Sequence, residues 1–317
     1  MKTGLVGGTG FIGSYIVDRL LDCGHTPRLL VRKGSEQKIR QPQRCETIQG
    51  AVTDPDALTE MIDGCDALIY LIGILRDFPE RNITFEDLQY RGFERCLSLA
   101  QSRGIRRVIL MSANGIEQGN LPYQRSKRRA EELLEHSGTD WTIFRPSVVF
   151  GDPRGRMEFS TQLKKQLIEP PIPATIFFPG LNVASAGLQP MSPVHVENVA
   201  QAFVVSLDDK STFGQRYVLA GPDTLYWKNI IRIIAIASGK SGKIMAPVPA
   251  WGVRLVAKMM QGFEWFPLTT DQIDMLMQGN VGESREIFDR FGIIPLSFNE
   301  KNLGYLAPDT QPSGGSS

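Results

Sequence analysis

The first 150 residues alternate short apolar runs with longer amphipathic ones, the pattern of a parallel sheet covered by helices. Lys2–Val6 predicts a strand, Phe11–Asp22 a helix closed by Gly24, and residues 27–32 the next strand. A short strand is expected at 45–49. Asp54 and Pro55 then open a helix, the first as N-cap and the second at the first helical position. Residues 66–72 are almost wholly apolar, as a central parallel strand buried on both faces should be. A helix over 85–102 leads through Gly104 to a strand at Arg107–Met111, and a helix over 123–136 precedes a strand at 141–145 that Pro146 halts. These alternations predict a doubly wound α/β sheet of the Rossmann type.

After Gly151 the rhythm breaks, with prolines at 153, 170, 171, 173, 179, 190 and 193. Short strands are expected at 175–178, 193–196 and 217–220, and helices at 196–207, 226–238, 249–260, Thr270–Gln278 and 299–305. The chain therefore divides into a core at 1–151, the remaining sheet elements with a small C-terminal lobe at 152–310, and a flexible Gln-Pro-Ser-Gly-Gly-Ser-Ser tail at 311–317.

Composition narrows the function. With 35 basic and 34 acidic residues the net charge is +1, so no global field draws the chain to nucleic acid. The four cysteines (23, 45, 65, 96) show no CxxC spacing, and the three histidines are dispersed. Neither a disulfide framework nor a metal site is expected, and a reducing, cytoplasmic setting fits best. His195 reads as a structural histidine. The longest apolar run, residues 67–75, is far short of the ~20 residues of a spanning helix, and the glycine-rich start runs into Asp18 and Arg19, against a targeting signal.

Candidate chemistry begins at Gly7-Gly8-Thr9-Gly10-Phe11-Ile12-Gly13, between the first strand and the first helix. A tight turn, close approach of backbone to a pyrophosphate, and close helix packing each exclude a Cβ, and the helix N-terminus offers free N–H groups to phosphate. At the end of the second strand an acid would select NAD by its 2′-hydroxyl, whereas a base would pair with the 2′-phosphate of NADP. Arg32 and Lys33 stand there, which favours NADP(H) over NAD(H). Tyr123 and Lys127, four apart at a helix start, share one face. An ammonium beside the phenol would lower its pKa and let it act as acid or base on a carbonyl or alcohol, with Ser112 placed to hydrogen-bond the same oxygen.

The glycine motif, Ser112, Tyr123 and Lys127 resemble the short-chain dehydrogenase/reductase superfamily. Further stretches are similar to its atypical, epimerase-like branch that includes the NADPH-binding accessory subunit of respiratory complex I and its bacterial homologues. They lie at 71–75 (LIGIL), 112–115 (SANG), 123–131 (YQRSKRRAE), 141–151 (WTIFRPSVVFG), 189–196 (QPMSPVHV), 268–272 (LTTDQ) and 292–296 (GIIPL). The resemblance implies that the backbone around Gly7, Thr9, Gly10, Phe11, Ile12 and Gly13 holds the pyrophosphate and Arg32 the 2′-phosphate. It further implies that Ile72 and Gly73 border the adenosine, that Tyr123 and Lys127 contact the nicotinamide ribose, and that Pro146 and Ser147 lie near the nicotinamide. One departure is Gly50-Ala51 where the family has Gly-Asp, so the adenine contact is lost or passes to Asp54 or the backbone. Another is the short interval between Ser112 and Tyr123. In this branch the nucleotide is often structural, so Tyr123 and Lys127 alone do not establish turnover.

Residues 240–266 mix Trp251, Val253, Leu255, Val256, Met259 and Met260 with Lys243, Arg254 and Lys258. Such a basic amphipathic stretch either closes the second lobe or meets a membrane surface or partner protein. Two readings follow. One is an NADP(H)-binding, complex I accessory-subunit-like protein, its nucleotide structural or redox-reporting and its partner a respiratory complex or the inner face of a membrane. The other is an NADPH-dependent reductase or epimerase-like enzyme acting on a small hydrophobic carbonyl, quinone- or isoprenoid-like.

Overall fold

The structure, a computed structural model, describes residues 1–260 and 269–308. Its first half runs β1 (Lys2–Val6), α1 (Phe11–Asp22), β2 (Thr26–Val31), β3 (Glu46–Gln49), α2 (Pro55–Ile62), β4 (Ala67–Tyr70), α3 (Gly92–Ser102), β5 (Arg107–Met111), α4 (Pro122–Glu135) and β6 (Asp140–Pro146). The second half adds β7 (Val149–Phe150), α5 (Phe159–Leu163), β8 (Ala174–Phe178), β9 (Pro190–Met191), β10 (Val194–His195), α6 (Val196–Val205) and β11 (Gln215–Leu219). It ends with β12 (Leu225–Tyr226), α7 (Trp227–Ala237), β13 (Met245–Pro249), α8 (Ala250–Met260), α9 (Thr270–Gln278) and α10 (Arg285–Arg290).

Seven strands form one parallel sheet in the order β11-β6-β5-β4-β1-β2-β3. This is the doubly wound Rossmann arrangement. β4 and β5 are buried along their whole length, because helices cover both faces: α2, α3 and α4 on one, α1 and α6 on the other. The second half therefore supplies both the edge strand β11 and a covering helix to the sheet of the first. Strand order reverses between β1 and β4, and the crevice beyond their carboxyl ends is where such a sheet admits a ligand. The smaller lobe is built on the parallel pair β8 and β13 and packs Phe150, Phe177, Trp227, Ile230, Ile234 and Phe298 together.

Two expectations change, and one strand appears where none was expected. The helix predicted over 85–102 starts as a π-helical turn at Glu86–Arg91 before α3. Tyr70 donates its hydroxyl to the Leu88 carbonyl, and a Cβ at Gly92 would stand 2.6 Å from that hydroxyl oxygen, so a buried side chain is seated where the ladder widens. The segment before α8 is a strand, because its alternating prolines suit an edge that pairs on one side only. Residues 299–305 form turns and a short 3₁₀ helix, Gly304–Leu306, in place of an α-helix. The Asn299 carboxamide accepts from Asn302 N–H at 3.0 Å, a local bond that stabilises a turn. No described helix is long and apolar enough to cross a membrane. Residues 261–266 of the basic amphipathic stretch and the 311–317 tail lie outside the described residues.

Candidate functional site

A cleft of about 1300 Å³ opens at the carboxyl ends of β1 and β4 and extends under the smaller lobe. Its floor is the glycine loop. Gly7 has φ +94°, and a Cβ there would press on Leu71 at 3.2 Å. A Cβ on Gly13 would lie 2.2 Å from the Gly7 carbonyl oxygen, so the close approach of α1 to the loop requires glycine. Gly10 occupies the N-cap of α1 with no side chain to cap it, which leaves first-turn N–H groups and the positive end of the helix dipole for an anion. Thr9, Phe11 and Ile12 line the same wall.

Beside the end of β2 Arg32 lines the cleft, exposed, its guanidinium without a hydrogen bond or ion pair among the described residues. Lys33 is exposed and lies outside the lining, whereas Lys38, which the sequence did not single out, is part of it. Gly50, Ala51, Val52 and Thr53 face the cleft. Asp54 does not, because its carboxylate accepts the N–H groups of Asp56 and Ala57 at the start of α2.

Across the crevice stand Ile72, Gly73, Ser112, Tyr123, Lys127, Pro146 and Ser147, all lining residues. Lys127 is buried and donates to the Ile72 and Met111 carbonyls at 2.9 and 2.8 Å. Burial drives its pKa down to about 8, with Glu131 opposing the shift. Tyr123 is packed edge-on against Phe85, and burial pushes its phenol up to about 12 with no cation acting against it. The lowering expected from the Tyr-x-x-x-Lys spacing is thus absent, since the ammonium is held by two carbonyls. The Ser112 hydroxyl is buried and has no partner, an unspent donor and acceptor on a residue that lines the cleft. Ser147, by contrast, donates its hydroxyl to the Ser192 carbonyl. The short loop between Ser112 and Tyr123 is closed from α4, where Arg128 donates to the Ile116 and Gly119 carbonyls.

The wall contributed by the second half was invisible in the sequence. Phe159, Met191, Trp227, Met275 and Leu276 make it apolar, and Gln162, Gln166, Gln272, Gln278 and Asn280 add carboxamides. Gln124 and Gln278 are bonded at 3.0 Å, and Asn114 donates to Asn280 at 2.7 Å, which ties α4 and the turn after β5 to the segment following α9. Arg156, also unforeseen, donates to the Thr9 carbonyl at 2.8 Å. Glu131 takes Arg145 of β6 in a bidentate pair, and Arg129 reaches Glu86. His195 caps α6, its Nδ1 accepting from Glu197 N–H at 3.3 Å, which is a structural role.

The residues present fit a dinucleotide: a glycine cradle that any Cβ would fill, an uncapped helix end, and a buried hydroxyl without a partner. A family model described as NAD(P)H-binding matches residues 7–170. The chain is 29% identical over 238 residues to the mitochondrial NADH dehydrogenase (ubiquinone) 1 alpha subcomplex subunit 9 of Arabidopsis thaliana, covering 72% of this chain but only 56% of that one. It is 25% identical over 308 residues to the mitochondrial NADH-ubiquinone oxidoreductase 40 kDa subunit of Neurospora crassa, covering 95% and 77%. Among solved structures, the UDP-glucuronic acid 4-epimerase of Bacillus cereus, in complex with UDP-glucuronic acid and NAD, superposes with a TM-score of 0.73 at 18% identity, covering 96% and 98%. That likeness speaks for the fold. The chain belongs to the NAD(P)H-binding family, as an atypical short-chain dehydrogenase/reductase with relatives among the complex I accessory subunits.

Proposed function

We propose that this protein binds NADP(H) and holds it as a structural or redox-reporting group, in the manner of a complex I accessory subunit. The charge of the cleft carries the reading. Arg32, Lys38, Lys127 and Arg156 line it against a single described carboxylate, Glu158. That carboxylate is already engaged by the Ser160 and Thr161 N–H groups and the Tyr305 hydroxyl. A ligand with a pyrophosphate and a 2′-phosphate balances such a wall, and no acid stands at the end of β2 to select a 2′-hydroxyl.

In this reading the loop from Gly7 to Gly13 and the start of α1 hold the pyrophosphate, while Arg32 meets the 2′-phosphate and Lys33, outside the lining, does not. Ile72 and Gly73 flank the adenosine, Tyr123 and Lys127 the nicotinamide ribose, and Pro146 and Ser147 the nicotinamide. When bound, the nicotinamide supplies or accepts a hydride. Tyr123 keeps its proton at neutral pH, and its phenol serves as a hydrogen-bond donor rather than a base. The mitochondrial relatives support a respiratory or membrane-surface partner. The C-terminal lobe offers exposed Ile244, Trp251 and Leu255 near Lys243 and Lys258 for it.

A second reading, an NADPH-dependent reductase or epimerase-like enzyme on a hydrophobic carbonyl, is favoured by Ser112, whose hydroxyl has no partner and which lines the same cleft as Tyr123. The test is retention: the protein is purified without added nucleotide, its bound nucleotide identified, and exchange of NADPH for NADP+ followed by fluorescence. Stoichiometric NADPH that leaves over many minutes is expected. Rapid exchange, with reduction of a quinone that Tyr123→Phe abolishes, would move the assignment to the enzyme.

A further inference from the structure

Arg156 stands on the loop between β7 and α5, 147 residues from Thr9 of the glycine loop. Its Nε donates to the Thr9 carbonyl of the glycine loop at 2.8 Å, and one terminal nitrogen donates to the Lys38 carbonyl after β2 at 2.6 Å. The other donates to the Arg154 carbonyl at 3.0 Å. The guanidinium therefore bridges the two segments that flank the adenosine ribose end of the cleft, and it lines that cleft. Three of its five N–H donors are used, leaving one on each terminal nitrogen.

No carboxylate pairs with it among the described residues. The nearby acid, Asp18, is shared by Arg40 and Arg154 at 2.8 Å each. Partial burial and the neighbouring guanidiniums of Arg154 and Arg40 disfavour its charged form, yet an arginine keeps its proton at neutral pH. A half-buried guanidinium with cationic neighbours and only carbonyl partners is electrostatically incomplete until an anion arrives. The loop is built to hold it there. Arg154 has φ +50°, a conformation that side-chain-bearing residues rarely adopt, and it is fixed by Asp18 and by stacking 3.4 Å over the Tyr15 ring.

We infer that Arg156 is a specificity-determining residue for the nucleotide, its free N–H donors reaching the 2′-phosphate together with Arg32. This rests on the NADP(H) reading above and adds to it a second guanidinium delivered by the second half of the chain. Two arginines on one phosphate make a fork-like clamp that no 2′-hydroxyl satisfies.

Wild-type protein, Arg156→Gln and Arg156→Lys are titrated calorimetrically with 2′,5′-ADP and with 5′-AMP, after their thermal transitions without nucleotide are compared. Affinity for 2′,5′-ADP is expected to fall about tenfold to a hundredfold in Arg156→Gln and partly in Arg156→Lys, while that for 5′-AMP changes less than about threefold. Equal losses for both ligands would make Arg156 a latch on the glycine loop, and no loss would make it idle. Either result overturns the inference. If Arg156→Gln does not fold, Arg156→Lys carries the comparison, because it keeps the charge and loses the fork. A wild-type protein that fails to prefer 2′,5′-ADP overturns the NADP(H) reading itself, and this proposal with it, before any variant is considered.

Discussion

Lys127 shows how one residue changes meaning between sequence and structure. The spacing from Tyr123 suggests a cation that tunes a phenol, but the ammonium is buried among carbonyls and the phenol moves up instead. A neutral amine retains two N–H donors, enough for the Ile72 and Met111 carbonyls, so deprotonation costs no hydrogen bond. The folded pKa of about 8 lies below the usual 10.5, so the unfolded state binds more protons between these values. Stability then rises with pH from about 8 and levels off above the unfolded value. Wild type should gain about 2 kcal/mol relative to Lys127→Met between about pH 7 and about pH 9.5, measured by urea unfolding. An unchanged gap would mean that Lys127 titrates normally. That Arg32 lines the cleft was legible, because the end of the second strand meets the crevice beyond the glycine loop. Arg156 was not, because its relation to Thr9 spans 147 residues.

At the scale of elements, local signals held where the chemistry is local. The glycine loop, Pro55 at the start of α2 and Asp54 as its cap stand in the structure as their sequence implies. Asp54→Ala should cost about 1 kcal/mol of stability through the lost cap, with NADPH affinity unchanged by fluorescence titration. A concurrent loss of affinity would assign Asp54 to the adenine after all. Gly13→Ala places a Cβ 2.2 Å from the Gly7 carbonyl oxygen and should abolish measurable NADPH binding while destabilising the protein by about 1–3 kcal/mol. Retained binding would show that the loop can shift without losing its cradle. Where an element answers to a distant partner, the pattern misled or was silent: the π turn at Glu86–Arg91 accommodates Tyr70, and the β13 strand, which the pattern did not signal, pairs with β8.

For the whole molecule, the two halves are bound through a shared sheet and a shared site. β11 and α6 complete the nucleotide-binding layer, and the 151–158 loop reaches back onto the glycine loop. A ligand in the cleft therefore touches both halves and stabilises the chain as one unit by mass action. NADPH at about 100 times its dissociation constant should add about 2.7 kcal/mol, a rise of roughly 4 °C in Tm for a chain of 317 residues. NADH at the same concentration should raise it less. Equal shifts in a calorimetric scan would remove the case for 2′-phosphate selection.

The sequence by itself determined the doubly wound sheet, the tight glycine loop and the base at the end of β2, since each follows from periodicity, steric demands on glycine or a position along a strand. These depend on neighbours within a few turns of chain. Only the tertiary structure decided which cations remain unpaired, that Asp54 is spent on a helix cap, that Ser112 is left without a partner, and that the second half walls the cleft. Charge balance and burial are properties of contacts between segments distant in sequence, and folding is the step that brings those segments together.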